Sequence, residues 1–388
     1  MEKVVIDGSV LEGGGQILRN GVSLSALLSK SLSIYNIRSN RTPPGLKNQH
    51  RTGLELAADI ASARLLGAHN GSTEIEFIPG RIRLPNHFVA DTITAGSTTL
   101  LLQIALPLLL FSSKPTLAST LSLLGGTNAL MAPQIDYTKH IFLPFIQRHF
   151  GIGYYELDIR KRGYFPKGGG EVFFSIIPLS GPDQKLRSIH LLERGKVKKI
   201  FGIAHYSRLP HAIGNGMMTG AEKRLSLAGY RKSKETSDPL LASAQLQENN
   251  SAVVSIQCRQ EPWDLTVAPG SGIVLWAELE GGGIIGGSAL GSRGKSPETV
   301  GEEAAEELIQ GLNEGGCVDE WLQDQIIIFM ALAEGRSEVK CGISGLSLHT
   351  RTAIWLAQQL TDAQFETEED PSGCVVIRCQ GIGHSAQS

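Results

Sequence analysis

The sequence has no surplus of charge of either sign: 36 Lys and Arg stand against 38 Asp and Glu over 388 residues, a formal net charge of −2. That excludes a basic nucleic-acid coat protein, so any RNA contact has to be a local basic patch. Cysteine is sparse and poorly spaced. The five residues Cys258, Cys317, Cys341, Cys374 and Cys379 form no CxxC pair, and an odd count fits reduced thiols better than a disulfide framework or a zinc site. No apolar run can span a bilayer: the longest, residues 100–111, contains Gln103 and Pro107. The opening residues lead straight into a strand-like segment without a secretory pattern. No GxxxxGK[ST] occurs, so there is no P-loop. The expectation is a soluble intracellular protein without membrane association.

What is abundant is glycine, 45 residues, many in tight clusters that suggest backbone turns close to ligands. A chain of this length should hold about two to three domains or repeats. Alternating and helical periodicities recur in one order, helix, strand, helix, strand. The first set covers residues 16–30, 31–38, 46–63 and 73–78; the second 96–111, 120–124, 137–150 and 171–177. A third covers 319–333, 338–343, 350–361 and 374–380, and Gln16 and Gln103 hold matching places in the first two sets. Each set needs neighbours to cover its apolar faces. Between the second and third lies extra sequence with its own strands, a helix around 217–227 and a polar middle, 230–250, that reads as surface loop. The fold class expected is α+β built of α/β repeats, with residues 1–185 holding repeats 1 and 2, 186–280 a smaller inserted α/β domain, and 281–388 repeat 3. Residues 178–184 and 281–283 read as hinges, and the tail after Gly383 as frayed.

Several motifs could carry chemistry. Glu12-Gly13-Gly14-Gly15-Gln16 precedes the first helix, where glycines permit close backbone approach and a helix start offers N–H groups to phosphate. Glu12 could hold Mg²⁺ or Mn²⁺ against that phosphate, although a glycine turn with a solvated Glu has the same sequence. Arg19, Arg38, Arg41, Lys47 and His50 cluster around RTPPGLKNQH, a candidate anion patch or a solvated charged loop. RGYFPKGGGEV, residues 162–172, is a second triple-glycine turn leading into a strand, functional or a purely structural hairpin. Trp321, Asp324 and Gln325 share one helical face, suited either to a nucleobase or to core packing. His349 sits where an apolar run enters a helix, so its imidazole could attack a phosphate resting at that helix start, or could be a polar residue near a cap.

Taken together, IDGSVLEGGGQILR, PGLKNQH, GGTNALMAPQIDYT, RGYFPKGGGEV, DEWLQDQ and SLHTRTAI resemble the RNA 3′-terminal phosphate cyclase family over nearly the whole chain. The resemblance implies three tandem copies of a fold like the C-terminal domain of translation initiation factor three, plus a small inserted domain. It implies ATP-dependent conversion of an RNA 3′-phosphate into a 2′,3′-cyclic phosphate through a covalent histidine-AMP intermediate and an RNA(3′)pp(5′)A intermediate. By position it implies His349 as the nucleophile and Glu12 as the metal-proximal carboxylate for Mg²⁺ or Mn²⁺. Gln103, Pro133, Trp321, Asp324, Gln325 and His349 are then the nucleotide-binding residues, and Arg19, Arg38, Arg41, Gln49 and His50 face the RNA end. Trp321 departs from the family's Tyr, and Thr-Arg-Thr-Ala after His349 is similar to eukaryotic members, which implies the nucleus (nucleoplasm), with the cytoplasm and a homodimer left open. The rival readings are the family's non-catalytic cyclase-like branch in ribosomal RNA processing, which lacks the histidine, and an enolpyruvyl transferase built of similar repeats.

Overall fold

The computed structural model describes residues 3–113, 117–232 and 252–386. Most of the expected surface loop, residues 233–250, lies outside them. The described chain is α+β, with mixed sheets backed by helices.

Three four-stranded sheets share one strand order. In the first, Lys3–Asp7 pairs parallel with Ser31–Tyr35, followed in space by Ile75–Ile78 and Arg64–Leu66, both antiparallel to their neighbours. The second runs His87–Asp91, Ser119–Gly125, Gly170–Ile176, Tyr155–Lys161, and the third His190–Leu191, Glu334–Lys340, Val375–Ile382, Gln364–Glu369. Period-two sequence explains the central strands: along Ser119–Gly125 every second residue is buried, Leu121 and Leu123 inward and Thr120 and Ser122 outward.

The helices of these sheets meet in one core. Gly15–Leu28 packs against Leu348–Leu360, Thr98–Leu109 and Asn48–Ile60. Leu24, Leu54, Leu101, Leu106 and Leu356 are all excluded from solvent there, each stabilising by about 1.5–3 kcal/mol. Contact is close enough that a Cβ on Gly53 would strike Ile104. The helix expected over 319–333 is interrupted: Glu320–Gln325 and Ile327–Leu332 are joined at Ile326, where the Gln325 side-chain amide donates to the Trp321 carbonyl at 2.5 Å.

The expected boundaries at 186 and 280 do not coincide with the sheets. His190–Leu191 is the first strand of the third sheet, opposite Glu338 and Val339. Beyond 280, Ile284–Leu290 pairs with Gly270–Leu279 in a separate five-stranded sheet. Helix Pro297–Asn313 packs under that sheet through Val300, Ala304 and Leu308, against Met217 and Ala221 of helix His211–Leu227. The glycines 281–283, read as a hinge, form the hairpin turn between those strands, with Leu279 N–H donating to Gly283 O at 3.0 Å and Gly282 at φ 91°. The inserted unit therefore enters between the first strand of the third sheet and the helix that follows it. The expected fraying after Gly383 fails at His384, which is buried edge-on against Phe111 while its N–H donates to Leu332 O. No helix among the described residues is long and apolar enough to cross a membrane.

Candidate active site

All twelve residues singled out as candidate contacts line one cavity of about 800 Å³: Glu12, Arg19, Arg38, Arg41, Gln49, His50, Gln103, Pro133, Trp321, Asp324, Gln325 and His349. They come from all three four-stranded units. A neighbouring cavity of about 310 Å³ shares Glu307, Glu320, Trp321 and Ser347 with it.

His349 is the second residue of helix Leu348–Leu360, whose cap is Ser347: its hydroxyl accepts from Thr350 N–H at 3.2 Å. The imidazole is exposed to the cavity. Its Nδ1 lies 3.1 Å from Gln16 Oε1, while Gln16 Nε2 donates to Asp324 Oδ2 at 2.9 Å. Nε2 of His349 has no hydrogen-bond partner among the described residues. The neighbouring pair runs in parallel, Gln103 Nε2 donating to Gln325 Oε1 at 2.9 Å. Burial pushes the Asp324 carboxyl up to about 7, against the opposing pull of Arg19 and the Gln16 hydrogen bond.

The glycine turn explains how Glu12 reaches the cavity. Gly13 has φ 61°, and a Cβ on Gly14 would collide with the Glu12 carboxylate, so the loop folds its own acid back over the helix start. The Glu12 N–H donates to Thr352 Oγ1 at 3.1 Å, tying that loop to the helix of His349. Glu12 Oε1 pairs with Arg41 Nη2 at 2.7 Å, whereas the buried Oε2 has no partner among the described residues. Among the described residues no group of three or more His, Cys, Asp or Glu is arranged to hold a metal. One orphaned carboxylate oxygen suits a hard divalent cation that completes its shell with phosphate oxygens and water, and does not suit zinc.

The basic wall is pre-set in different ways. Arg38 is buried with φ 52° and donates to Gly45 O at 2.6 Å and Pro43 O at 3.3 Å, so it shapes the 41–45 loop as well as lining the cavity. Lys47 N–H donates to His50 Nδ1 at 3.1 Å, which leaves the His50 proton on Nε2, beside Gly15. Burial, then Arg38 and Arg19, depress the His50 pKa to about 3, so a neutral N–H donor faces the cavity near pH 7. Gln49 Oε1 accepts from Ser97 N–H at 2.7 Å, which turns its amide N–H₂ the other way. Pro133 is buried, its carbonyl accepting from Thr99 Oγ1 at 3.0 Å. Trp321 is 38% exposed, its Nε1 held by Glu307 Oε1 at 2.8 Å.

Lining residues missed as site residues include Gln16, Glu307 and Glu320. Gln16 stood in the EGGGQ motif, but nothing in one dimension tied it to His349, 333 positions away. Glu320 stood inside DEWLQDQ beside Trp321 but was not singled out, and Glu307 carries no motif and comes from the inserted unit. RGYFPKGGGEV, the most specific stretch of the resemblance, lies away from the cavity lining. Its Arg162 is buried, bidentate to Asp136 at 2.5 and 2.8 Å and bonded through Nε to Glu261 at 2.8 Å. That network fastens the second unit to the inserted one.

An open imidazole at a helix start, the four cationic side chains of Arg19, Arg38, Arg41 and Lys47, and an orphaned carboxylate around a cavity of this size are the donor set that suits a phosphorylated ligand. The chain belongs to the RNA 3′-terminal phosphate cyclase family, whose pattern matches residues 10–367. It is 36% identical over 382 residues to an RNA 3′-terminal phosphate cyclase of Pyrobaculum aerophilum, covering 98% of this chain and 99% of the relative. For the Staphylothermus marinus protein of that name the figures are 38%, 99% and 100%, and for that of Drosophila melanogaster 36%, 98% and 96%.

Proposed function

We propose that this protein converts an RNA 3′-terminal phosphate into a 2′,3′-cyclic phosphate at the expense of ATP. The observation that carries the reading is the bare Nε2 of His349, open to a cavity that also holds the arginines, Glu12 and an aromatic plane. His349 Nε2 attacks the α-phosphorus, an N–P bond forms, and the bond to pyrophosphate breaks. An oxygen of the RNA 3′-phosphate then attacks the same phosphorus, breaking the N–P bond and giving RNA(3′)pp(5′)A. Finally the 2′-hydroxyl attacks the 3′-phosphorus, loses its proton to solvent and expels AMP. A phosphate monoester is a poor electrophile, and attaching AMP supplies the leaving group. The need for a 2′-hydroxyl selects RNA over DNA.

In this reading Trp321 and Pro133 flank the nucleobase, Gln103, Asp324 and Gln325 bind the nucleotide, and Arg19, Arg38, Arg41, Gln49 and His50 take the RNA end. Glu12 would hold Mg²⁺ or Mn²⁺, which when bound offsets phosphate charge. The three similar sheet units fit tandem copies of a fold like the C-terminal domain of translation initiation factor three. The alternative, a non-catalytic cyclase-like protein of ribosomal RNA processing, is disfavoured by His349. Incubation with α-³²P-ATP and Mg²⁺ or Mn²⁺ separates the two. An acid-labile label on wild type that His349→Ala lacks supports the cyclase; no label on folded protein with either metal moves the reading to the non-catalytic branch.

A further inference from the structure

We infer that Gln16, oriented by Asp324, is a positioning residue that keeps the proton of His349 on Nδ1 and so leaves the lone pair on Nε2. The inference deepens the proposed reaction and rests on it for its catalytic meaning. It stands on three atoms in line. Gln16 is buried, and its amide nitrogen is 2.9 Å from Asp324 Oδ2 while its amide oxygen is 3.1 Å from His349 Nδ1. An ionised carboxylate only accepts, so it turns the N–H₂ end of Gln16 toward itself. The carbonyl end must then face His349, and only an N–H at Nδ1 can meet it. The Gln16 side chain thus relays the acceptor character of Asp324 to the imidazole without moving a proton itself.

The relay has a built-in release. A protonated Asp324 carries an O–H that can donate to Gln16 Oε1, after which the amide can turn and offer N–H to His349 Nδ1. The proton then resides on Nε2 and the nucleophile is masked. The groups that set the Asp324 charge, besides burial itself, are Arg19 of helix Gly15–Leu28, with Asp319 and Glu320 on its own side, and Gln16 is the direct hydrogen-bond donor; Tyr137 of the second unit faces it as a neutral phenol that Asp324 itself helps to keep protonated. Burial outweighs Arg19 and holds the carboxyl near 7, so the switch falls within the physiological range.

The test uses full-length protein labelled with ¹⁵N-histidine, the His349 signals assigned with His349→Gln. Nitrogen shifts separate the two tautomers without ATP, so this readout is independent of whether any adenylate forms. Wild type at pH 8 should show the Nδ1–H form, and Gln16→Met the Nε2–H form or a mixture. Single-turnover adenylylation should fall about 10- to 100-fold in Gln16→Met. Gln16→Glu, which keeps an acceptor toward Nδ1, should recover most of that loss. Asp324→Asn should flatten the rise of adenylylation rate between pH 6 and 8 at saturating ATP. An Nε2–H tautomer in wild type at pH 8, or a Gln16→Met rate within twofold of wild type, overturns the inference. A wild type that shows the Nδ1–H tautomer but never labels sinks the cyclase reaction and leaves the positioning intact.

Discussion

Two clusters of charge in this molecule use the same residue types to opposite ends. Around Arg162 the guanidinium meets Asp136 twice and Glu261 once, and Asn128, Gln134, Tyr164 and His205 close the network, all buried. Around the cavity, Arg41 meets Glu12 at the rim, Glu12 Oε2 is orphaned, and His349 Nε2 faces open space. The first cluster is saturated and locks two units together. The second is short of partners, and that deficit is where a ligand gains affinity.

The sharpest way to break the comparison is His349→Ala. Adenylate formation should vanish from the α-³²P-ATP assay, while unfolding free energy stays within about 0.5 kcal/mol, because the side chain is exposed. The saturated cluster should respond in reverse. Arg162→Ala strands two buried carboxylates and should cost about 3–5 kcal/mol in urea titration, whereas replacing Arg162, Asp136 and Glu261 together by apolar residues should recover much of it. A destabilised protein that still self-labels per folded molecule would confirm the separation of roles. Glu12→Gln should slow adenylylation about 100-fold and weaken the dependence on divalent metal, with little loss of stability, since it replaces a buried carboxylate whose Oε2 has no partner among the described residues and whose one ion-pair partner, Arg41, is half-exposed.

His205 sharpens the contrast through pH. Burial first, and Arg162 next, depress its pKa to about 3, against the pull of Asp136. The folded state therefore refuses a proton that the unfolded chain binds below about 6.5. The resulting stability is present above about pH 6.5 and is lost as pH falls toward 3, by about 1.4 kcal/mol per unit. The stability gap between wild type and His205→Gln should accordingly narrow between pH 6.5 and 4.5 in denaturant titrations. The smallest effect is expected for Trp321→Phe, which keeps an aromatic face but loses the bond to Glu307: about 1 kcal/mol, read as a several-fold rise in KM for ATP.

The strands that could be read in advance are those with one face in the core, such as Ser119–Gly125 and Gly170–Ile176. Those that could not are edges. Gln364–Glu369 is almost wholly exposed and Arg64–Leu66 is three residues long, so neither bears a periodic apolar signal. His190–Leu191 is two residues whose partner lies across the whole insertion, information that only pairing contains. The residues that share the cavity lining were legible because they stand in short motifs of charged, amide and glycine residues. The supports of the site were not: Gln16 and Glu307 act through partners 333 and 14 positions away.

The split of the third sheet also sets an order in time. A chain emerging from the ribosome releases Glu12, the early arginines and Gln103 first, and its first two sheets can form while the third waits with only His190–Leu191 in hand. The inserted unit must then be made before Trp321 and His349 can arrive and close the cavity. A chain stopped before residue 349 thus has the basic wall without the imidazole that faces it. In the proposed reaction such a stalled product is inert, because the inserted unit has to be made before His349 is.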